Sequence, residues 1–427
     1  MNVLKKFLQS FPKKRRGRFL LILASVSVML LPLFMSSCGD YYEYDSASER
    51  DPKISVLISA SELNKWVEDG YPGDKYGHNK VVVLHVGEAT GYSSHVPGAY
   101  LVDANDLKDF NTGFTRSDGV SNIESMVAIK STMDKLIKKA GIDGSSVIVL
   151  TSNKSDFELL SRVYFNFRYW GFPRSKLRVL DGFVDTTWVD PDAGYSTESA
   201  APKTPEATEY SVCNLTQEPD RFRVSLEEMI KVAKDDNPKT VVIDTRSADE
   251  YNGLLGRTEV KPSEYVAFEG HIKSALWQEY TQLLKADGTL LDKEPIDELS
   301  PMFSTSALGL LVDDTTTAYV YGSDGQSASI TFLALDGVLN YPVRVYDGGW
   351  LEWGQMAGGD NGDLDADSKW RTEDPNSPLS AAVTFNATVK PLSSYSFVDS
   401  DAKHANAVNE EDRVICFEGG GGDAGGY

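Results

Sequence analysis

Three cysteines, Cys38, Cys213 and Cys416, are the obvious candidates for covalent chemistry in this 427-residue chain. None lies in a Cys-x-x-Cys pair, and the five histidines show no His-Glu-x-x-His spacing, so no metal site and no cofactor are expected. Cys213 and Cys416 suit one disulfide in an oxidising compartment. The Gly-rich run after Cys416 leaves a second possibility open, a thiol on a flexible tail that reaches a distant site. Asp244-Thr245-Arg246 places a carboxylate and a guanidinium two residues apart, either to hold an anionic ligand or to pair with each other as a support. The loop Gly322-Ser323-Asp324-Gly325-Gln326-Ser327 has the glycines and small residues that let backbone N–H groups converge, but it carries no nucleophilic thiol. Asp360, Asp363, Asp365 and Asp367 alternate as the ligands of a hard cation would. Ser368 stands where such a loop needs Gly, so a solvated turn is expected instead.

These residues are positioned by a repeated alternation of helices and short apolar strands. Helices are expected over Ser59–Glu68, Met126–Lys139 and Phe157–Tyr169, and strands over Val81–Leu84, Val147–Thr151 and Leu177–Leu180. The order then restarts. Ser225–Ala233 and Ser329–Leu339 read as helices, and Val241–Ile243, Ala318–Tyr321 and Val343–Tyr346 as strands. Such alternation predicts parallel sheets covered on both faces. The stretch 191–220, rich in Pro, Thr, Ser, Glu and Ala, reads as a linker between two copies.

The copies share their punctuation. The first has His85-Val86-Gly87, then Gly98-Ala99 after His95, and closes on Asp181-Gly182-Phe183. The second has Asp244-Thr245-Arg246, then Gly270-His271-Ile272-Lys273-Ser274-Ala275, and closes on Asp347-Gly348-Gly349-Trp350. This series, found twice in order, resembles the rhodanese family, and the second copy is similar to the second half of tandem thiosulfate and mercaptopyruvate sulfurtransferases. The resemblance implies an α/β protein of two tandem rhodanese-like domains, each a parallel sheet flanked by helices, over 54–190 and 221–355, with a C-terminal extension over 356–427. It also implies that the loop after Tyr321 should open with a cysteine, whose thiolate takes a sulfane sulfur and passes it on as a persulfide. Gly322 stands at that place, Ser323 and Asp324 replace positions that are often basic, and Asp249-Glu250 replaces an anion-binding Arg. An acidic rim raises a thiol's pKa and repels an anionic donor. The first domain's loop, Thr151–Asp156, has no cysteine either.

The ends of the chain speak for export. Residues 1–37 carry seven basic residues and no acidic one, and an apolar run from Phe19 to Phe34 leads to Met35-Ser36-Ser37-Cys38. That boundary resembles the lipobox of bacterial lipoproteins, which implies lipidation of Cys38, a tether over 38–53, and a place in the cell envelope. Gly39 after the cysteine favours the outer membrane. Past residue 37 the chain holds 35 basic against 63 acidic residues, which excludes nucleic acid and favours cationic proteins as partners. Three readings follow. One is a binding or assembly module on the envelope that has lost its catalytic cysteine. Another is a sulfurtransferase, or a handler of sulfur or selenium oxyanions, that uses Cys416. The last is an accessory subunit of an outer-membrane electron-transfer conduit.

Overall fold

The computed structural model describes residues 53–71, 80–103, 126–199, 207–234, 237–255, 270–272, 275–304 and 312–356. The expected lipidation site Cys38, Cys416 and the acidic stretch 360–367 lie outside the described residues, as does the segment 1–37.

Strand β1 (Leu57–Ser59) runs into α1 (Ala60–Glu68), whose N-cap Ser59 accepts from the Glu62 amide at 3.2 Å. Then follow β2 (Lys80–Gly87), β3 (Tyr100–Asp103), α2 (Lys130–Ala140), β4 (Ser146–Ser152), α3 (Phe157–Tyr169) and β5 (Leu177–Asp181). Gly141, at φ +67°, ends α2 with its amide on Ile137 and Lys138 carbonyls. The second half has α4 (Pro219–Phe222), β6 (Arg223–Val224), α5 (Leu226–Lys234), β7 (Thr240–Asp244), α6 (Ala248–Tyr251), β8 (Leu276–Trp277), β9 (Thr317–Tyr321), α7 (Ala328–Phe332), β10 (Val343–Tyr346) and α8 (Gly349–Met356).

Two five-stranded sheets result, ordered β1-β5-β4-β2-β3 and β6-β10-β9-β7-β8, and every pairing is parallel. The two orders are the same, as a duplication requires. Strand β4 is buried at every residue and most of β2 with it, because parallel sheets are covered on both faces.

The helix expected over Ser329–Leu339 divides. After α7 the chain widens into π-helical turns over Leu333–Leu339, closed by Asn340 at φ +61°. There the Gly337 carbonyl accepts from the Val56 amide at 2.8 Å, tying the entry to β1 onto the second domain. The stretch read as a linker is not a free tether. Thr208 donates to the Ile142 carbonyl at 2.6 Å and Val212 is fully buried, so 207–215 packs on the first domain.

Helix α3 is the keystone. Every residue from Leu160 to Tyr169 is buried, since it lies between the two sheets and packs on α7. Phe165 meets Phe332 edge-on at 5.0 Å, and one apolar cluster runs through both halves.

Candidate functional site

In parallel α/β sheets the loops after the carboxyl ends of the strands form the ligand crevice. β9, between β10 and β7, delivers Gly322–Ser327 there. Its last residue, Tyr321, is buried, donates to Asp244 Oδ2 at 2.7 Å and accepts from the Ile272 amide at 3.0 Å. Burial and the Asp244 charge push the Tyr321 phenol well above its ordinary value.

The loop is clamped from the other side by the Asp347-Gly348-Gly349-Trp350 turn. Trp350 and Leu351 amides donate to the Gly322 and Ser323 carbonyls, each at 2.9 Å. Gly349 sits at φ +57°, and a β-carbon there would lie 2.7 Å from the Ser323 carbonyl oxygen. That position requires glycine.

At Gly322 a β-carbon would stand 1.9 Å from Ser327 Oγ and 3.1 Å from the Asp324 carbonyl oxygen. The Ser327 hydroxyl thus fills the space into which a side chain at 322 would project. Its oxygen is buried and has no hydrogen-bond partner among the described residues. Gly325 is pinned by the first domain. A β-carbon there would meet Asp347 Oδ1 at 2.2 Å and Arg162 Nη1 at 2.8 Å. Arg162, from α3, donates to the Gly325 carbonyl at 3.3 Å and to Asp347 Oδ1 at 2.6 Å. Asp347 Oδ2 accepts from Arg223 Nε at 3.1 Å and from the Val127 amide at 2.7 Å. Asp324 accepts from the Gln326 amide at 2.9 Å, an internal turn bond.

Asp244 and Arg246 face each other. Arg246 Nη2 and Nε donate to the two Asp244 oxygens at 2.6 and 3.0 Å, and the guanidinium stacks 4.4 Å from the Trp350 ring centroid. Burial alone would lower the Arg246 pKa, but the Asp244 carboxylate outweighs it and holds it above its usual value. Their pairing supports the loop, through Tyr321 on one side and Trp350 on the other. Arg246 Nη1 is buried without a partner among the described residues, a donor this pair leaves unused.

Glu250 is 8% exposed and accepts from Ser247 Oγ at 2.9 Å and Ser323 Oγ at 3.4 Å. The sequence flags it as an acidic replacement on the rim. The structure places it inside, bonded to the loop itself. His271 lies flat on Tyr251 at 3.8 Å, its Nδ1 2.8 Å from the Tyr251 carbonyl oxygen.

The first domain repeats the plan in altered form. His95 stacks on Tyr92 at 3.7 Å, with Nδ1 2.9 Å from the Tyr92 carbonyl oxygen, the twin of the Tyr251–His271 pair. This pairing is invisible in sequence spacing, since the partners are 3 residues apart in one domain and 20 in the other. His85 stands where β7 has Asp244. Both its ring nitrogens are buried without partners among the described residues. Burial, helped by His95, brings its pKa down to about 4. Gly87 replaces Arg246, and the Asp156 carboxylate occupies the space, 2.7 Å from where a Gly87 β-carbon would be.

Cys213 is exposed on the Val212–Asn214 turn and is disulfide-bonded, its partner outside the described residues. Among the described residues no three His, Cys, Asp or Glu side chains converge as metal ligands, and no helix is long and apolar enough to cross a membrane.

Comparison with known proteins places this geometry. Residues 225–356 match the rhodanese-like domain family. A protein of Haloferax volcanii named "Putative thiosulfate sulfurtransferase" is 28% identical over 316 residues, which is 73% of this chain and 97% of that one. "Sulfur carrier protein TtuD" of Thermus thermophilus is 29% identical over 316 residues, covering 71% of this chain and 95% of that protein. Among solved structures, Tum1 from Saccharomyces cerevisiae superposes with a TM-score of 0.54 at 20% identity, over 71% of this chain and 96% of Tum1. YnjE superposes with a TM-score of 0.53 at 20% identity, over 70% of this chain, which spans 66% of YnjE.

Proposed function

We propose that this chain, two tandem rhodanese-like domains of sulfurtransferase-like character, uses its second-domain loop for recognition and not as a sulfur carrier. The observation that carries this reading is at Gly322. The residue has no side chain to hold sulfur, and the Ser327 hydroxyl occupies the vacated space. The bidentate Asp244–Arg246 pair, the Gly349 clamp and Arg162 keep the loop in shape all the same. Such a loop suits a binding or assembly module.

A second reading is favoured by the names of the relatives, one called a thiosulfate sulfurtransferase and one a sulfur carrier protein. Here sulfur transfer, or the handling of sulfur or selenium oxyanions, proceeds through Cys416. One assay separates the two. Thiosulfate:cyanide sulfurtransferase activity and persulfide labelling are measured on the reduced full chain and on Cys416→Ser. The recognition reading expects background activity in both. Turnover in the wild type that disappears in Cys416→Ser would replace it with the tail-cysteine reading.

The same proposal places the protein on the cell envelope, lipidated at Cys38, with its acidic body turned to cationic partners, among them the subunits of an outer-membrane electron-transfer conduit. The support is the Ser36-Ser37-Cys38 boundary and the 35 basic against 63 acidic residues beyond residue 37. Intact-mass analysis of the mature protein checks it. Diacylation at Cys38 that is lost in Cys38→Ala is expected, and an unmodified Cys38 would refute it.

A further inference from the structure

A pocket of about 350 Å³ opens at the amino-terminal edge of the second sheet. Thr317 and Val343, the first residues of β9 and β10, line it, whereas the Gly322–Ser327 loop follows the far end of β9. Its walls come from stretches distant in sequence. Lys53 precedes β1, Arg174 precedes β5, Arg221 and Phe222 belong to α4, and Tyr341 and Arg344 flank the start of β10. Four of the lining side chains are cations and two, Asp314 and Asp336, are carboxylates. In a chain with 63 acidic and 42 basic residues the lining itself carries more cations than carboxylates, and Glu218 and Glu228 stand behind two of those cations.

All four cations already have carboxylate neighbours, and the quality of those pairs decides what the pocket can take. Lys53–Asp314, at 3.1 Å, has side chains 65% and 55% exposed, and Arg221–Glu218, at 3.3 Å, 39% and 43%. Exposed pairs of this kind contribute little, so an entering anion competes with them readily, while the Arg221 guanidinium also rests over the Phe222 ring at 4.9 Å. Arg174 and Arg344 are fixed instead. Arg174 Nη1 donates to the Asp336 carbonyl at 3.0 Å, and Arg344 Nη2 to the Arg223 carbonyl at 2.9 Å and to Glu228 at 2.9 Å. Two held guanidinium groups and two movable cations surround a space walled by Phe222 and Tyr341.

We propose that this pocket binds a small organic phosphate. Arginine forks match phosphate oxygens, the rings offer an apolar wall for the organic part, and the volume suits a small metabolite. Because Arg174 belongs to the first domain and Arg344 to the second, a bound phosphate bridges the two. The site is separate from the loop and does not depend on whether the loop carries sulfur.

The test is calorimetric titration of the full chain at low ionic strength with phenyl phosphate, inorganic phosphate and benzoate. Phenyl phosphate should bind more tightly than inorganic phosphate by about tenfold, and more tightly than benzoate. Added salt should weaken it. The double variant Lys53→Gln, Arg221→Gln touches only exposed side chains and should keep its melting temperature without ligand. Its affinity for phenyl phosphate should fall by at least about tenfold. Ser327→Ala, in the loop, should bind as wild type. No binding of phenyl phosphate at millimolar concentration, unchanged affinity in the double variant, or equal binding of benzoate would each overturn the assignment. Loss of binding in Ser327→Ala would overturn it too, by moving the anion to the loop.

Discussion

At Gly322 a β-carbon would fall 1.9 Å from Ser327 Oγ, so a cysteine there forces the serine hydroxyl to swing away. Rotation of one short side chain is inexpensive, but the new thiol still has the buried Glu250 carboxylate beside its loop, bonded to Ser323. Gly322→Cys is therefore expected to fold and to show little thiosulfate:cyanide activity. The same change combined with Ser327→Ala, Glu250→Gln and Asp324→Lys should show more, read by the same assay. Glu250→Arg is the wrong companion, because position 250 is buried and neighbours the Arg246 charge. His85 allows a sharper test. Its pKa is about 4 in the fold, against an ordinary 6.5, first through burial and then through His95. The unfolded chain takes up this proton before the folded one does. The stabilisation is thus complete above pH 6.5 and is lost as pH falls towards 4, by about 3 kcal/mol at most. His85→Leu removes two buried nitrogens without partners among the described residues and should be at least as stable at pH 7. In urea titrations at pH 7 and pH 5 its stability should fall less than that of wild type; an equal fall would show that His85 does not titrate this way.

At the scale of elements, α3 and the turn into α8 hold the loop between them. The turn needs Gly349 both for its φ of +57° and for the approach of two carbonyl oxygens within 2.8 Å of a β-carbon. Gly349→Ala should cost about 1–3 kcal/mol, measured by urea denaturation, and should unsettle the Gly322 and Ser323 carbonyl contacts first. Helix α3 reaches the same loop from the other domain through Arg162. That side chain is 1% exposed and its Asp347 partner is fully buried. Burial pushes the Asp347 pKa up, but Arg162 and Arg223 outweigh it and hold the carboxyl below its ordinary value. Arg162→Met leaves Asp347 with one fewer cation and should destabilise by about 3–5 kcal/mol. Unchanged stability would mean that the Arg223 pair alone suffices.

Over the whole molecule the two domains are joined by apolar packing of Phe165 on Phe332 and by two buried charge clusters. The second cluster centres on Asp336, which accepts from Arg168 Nε at 2.8 Å and Tyr164 at 2.6 Å and neighbours Arg174 at 3.4 Å. Burial would raise its pKa too, and Arg168 and Arg174 bring it down. For both carboxylates the folded value lies below the ordinary 3.8. Their stabilisation is complete above about pH 4 and is lost as pH falls from there through the folded values. Acid should therefore open the seam between the domains below about pH 4. Tryptophan fluorescence against pH is expected to show one cooperative loss for both halves. Two separate transitions in the wild type would mean that the clusters do not couple the domains. The disulfide at Cys213 is checked by alkylation, with Cys213 blocked before reduction and labelled after it.

The duplicated parallel architecture was legible in the sequence, because short apolar runs such as Val81–Leu84 and Val147–Thr151 record burial on both faces of a strand, and that burial is a local property. That the loop after Tyr321 opens with Gly322, a residue without a side chain, was legible for the same kind of reason, as the identity of one residue at one place in the chain. The short edge strands β1 and β3 were not, since a few residues at a sheet margin leave too little periodicity to read. Tertiary structure alone decided what surrounds the loop. Arg162 lies 163 residues from Gly325 and 185 from Asp347, and Arg168 lies 168 from Asp336. Within α3 those arginines are two charged residues in a stretch of mostly apolar and aromatic ones, six positions apart and so on different sides of the helix. Only the packing of the second domain's α7 and α4 against α3 buries them, and a buried guanidinium then needs a carboxylate that the other domain supplies.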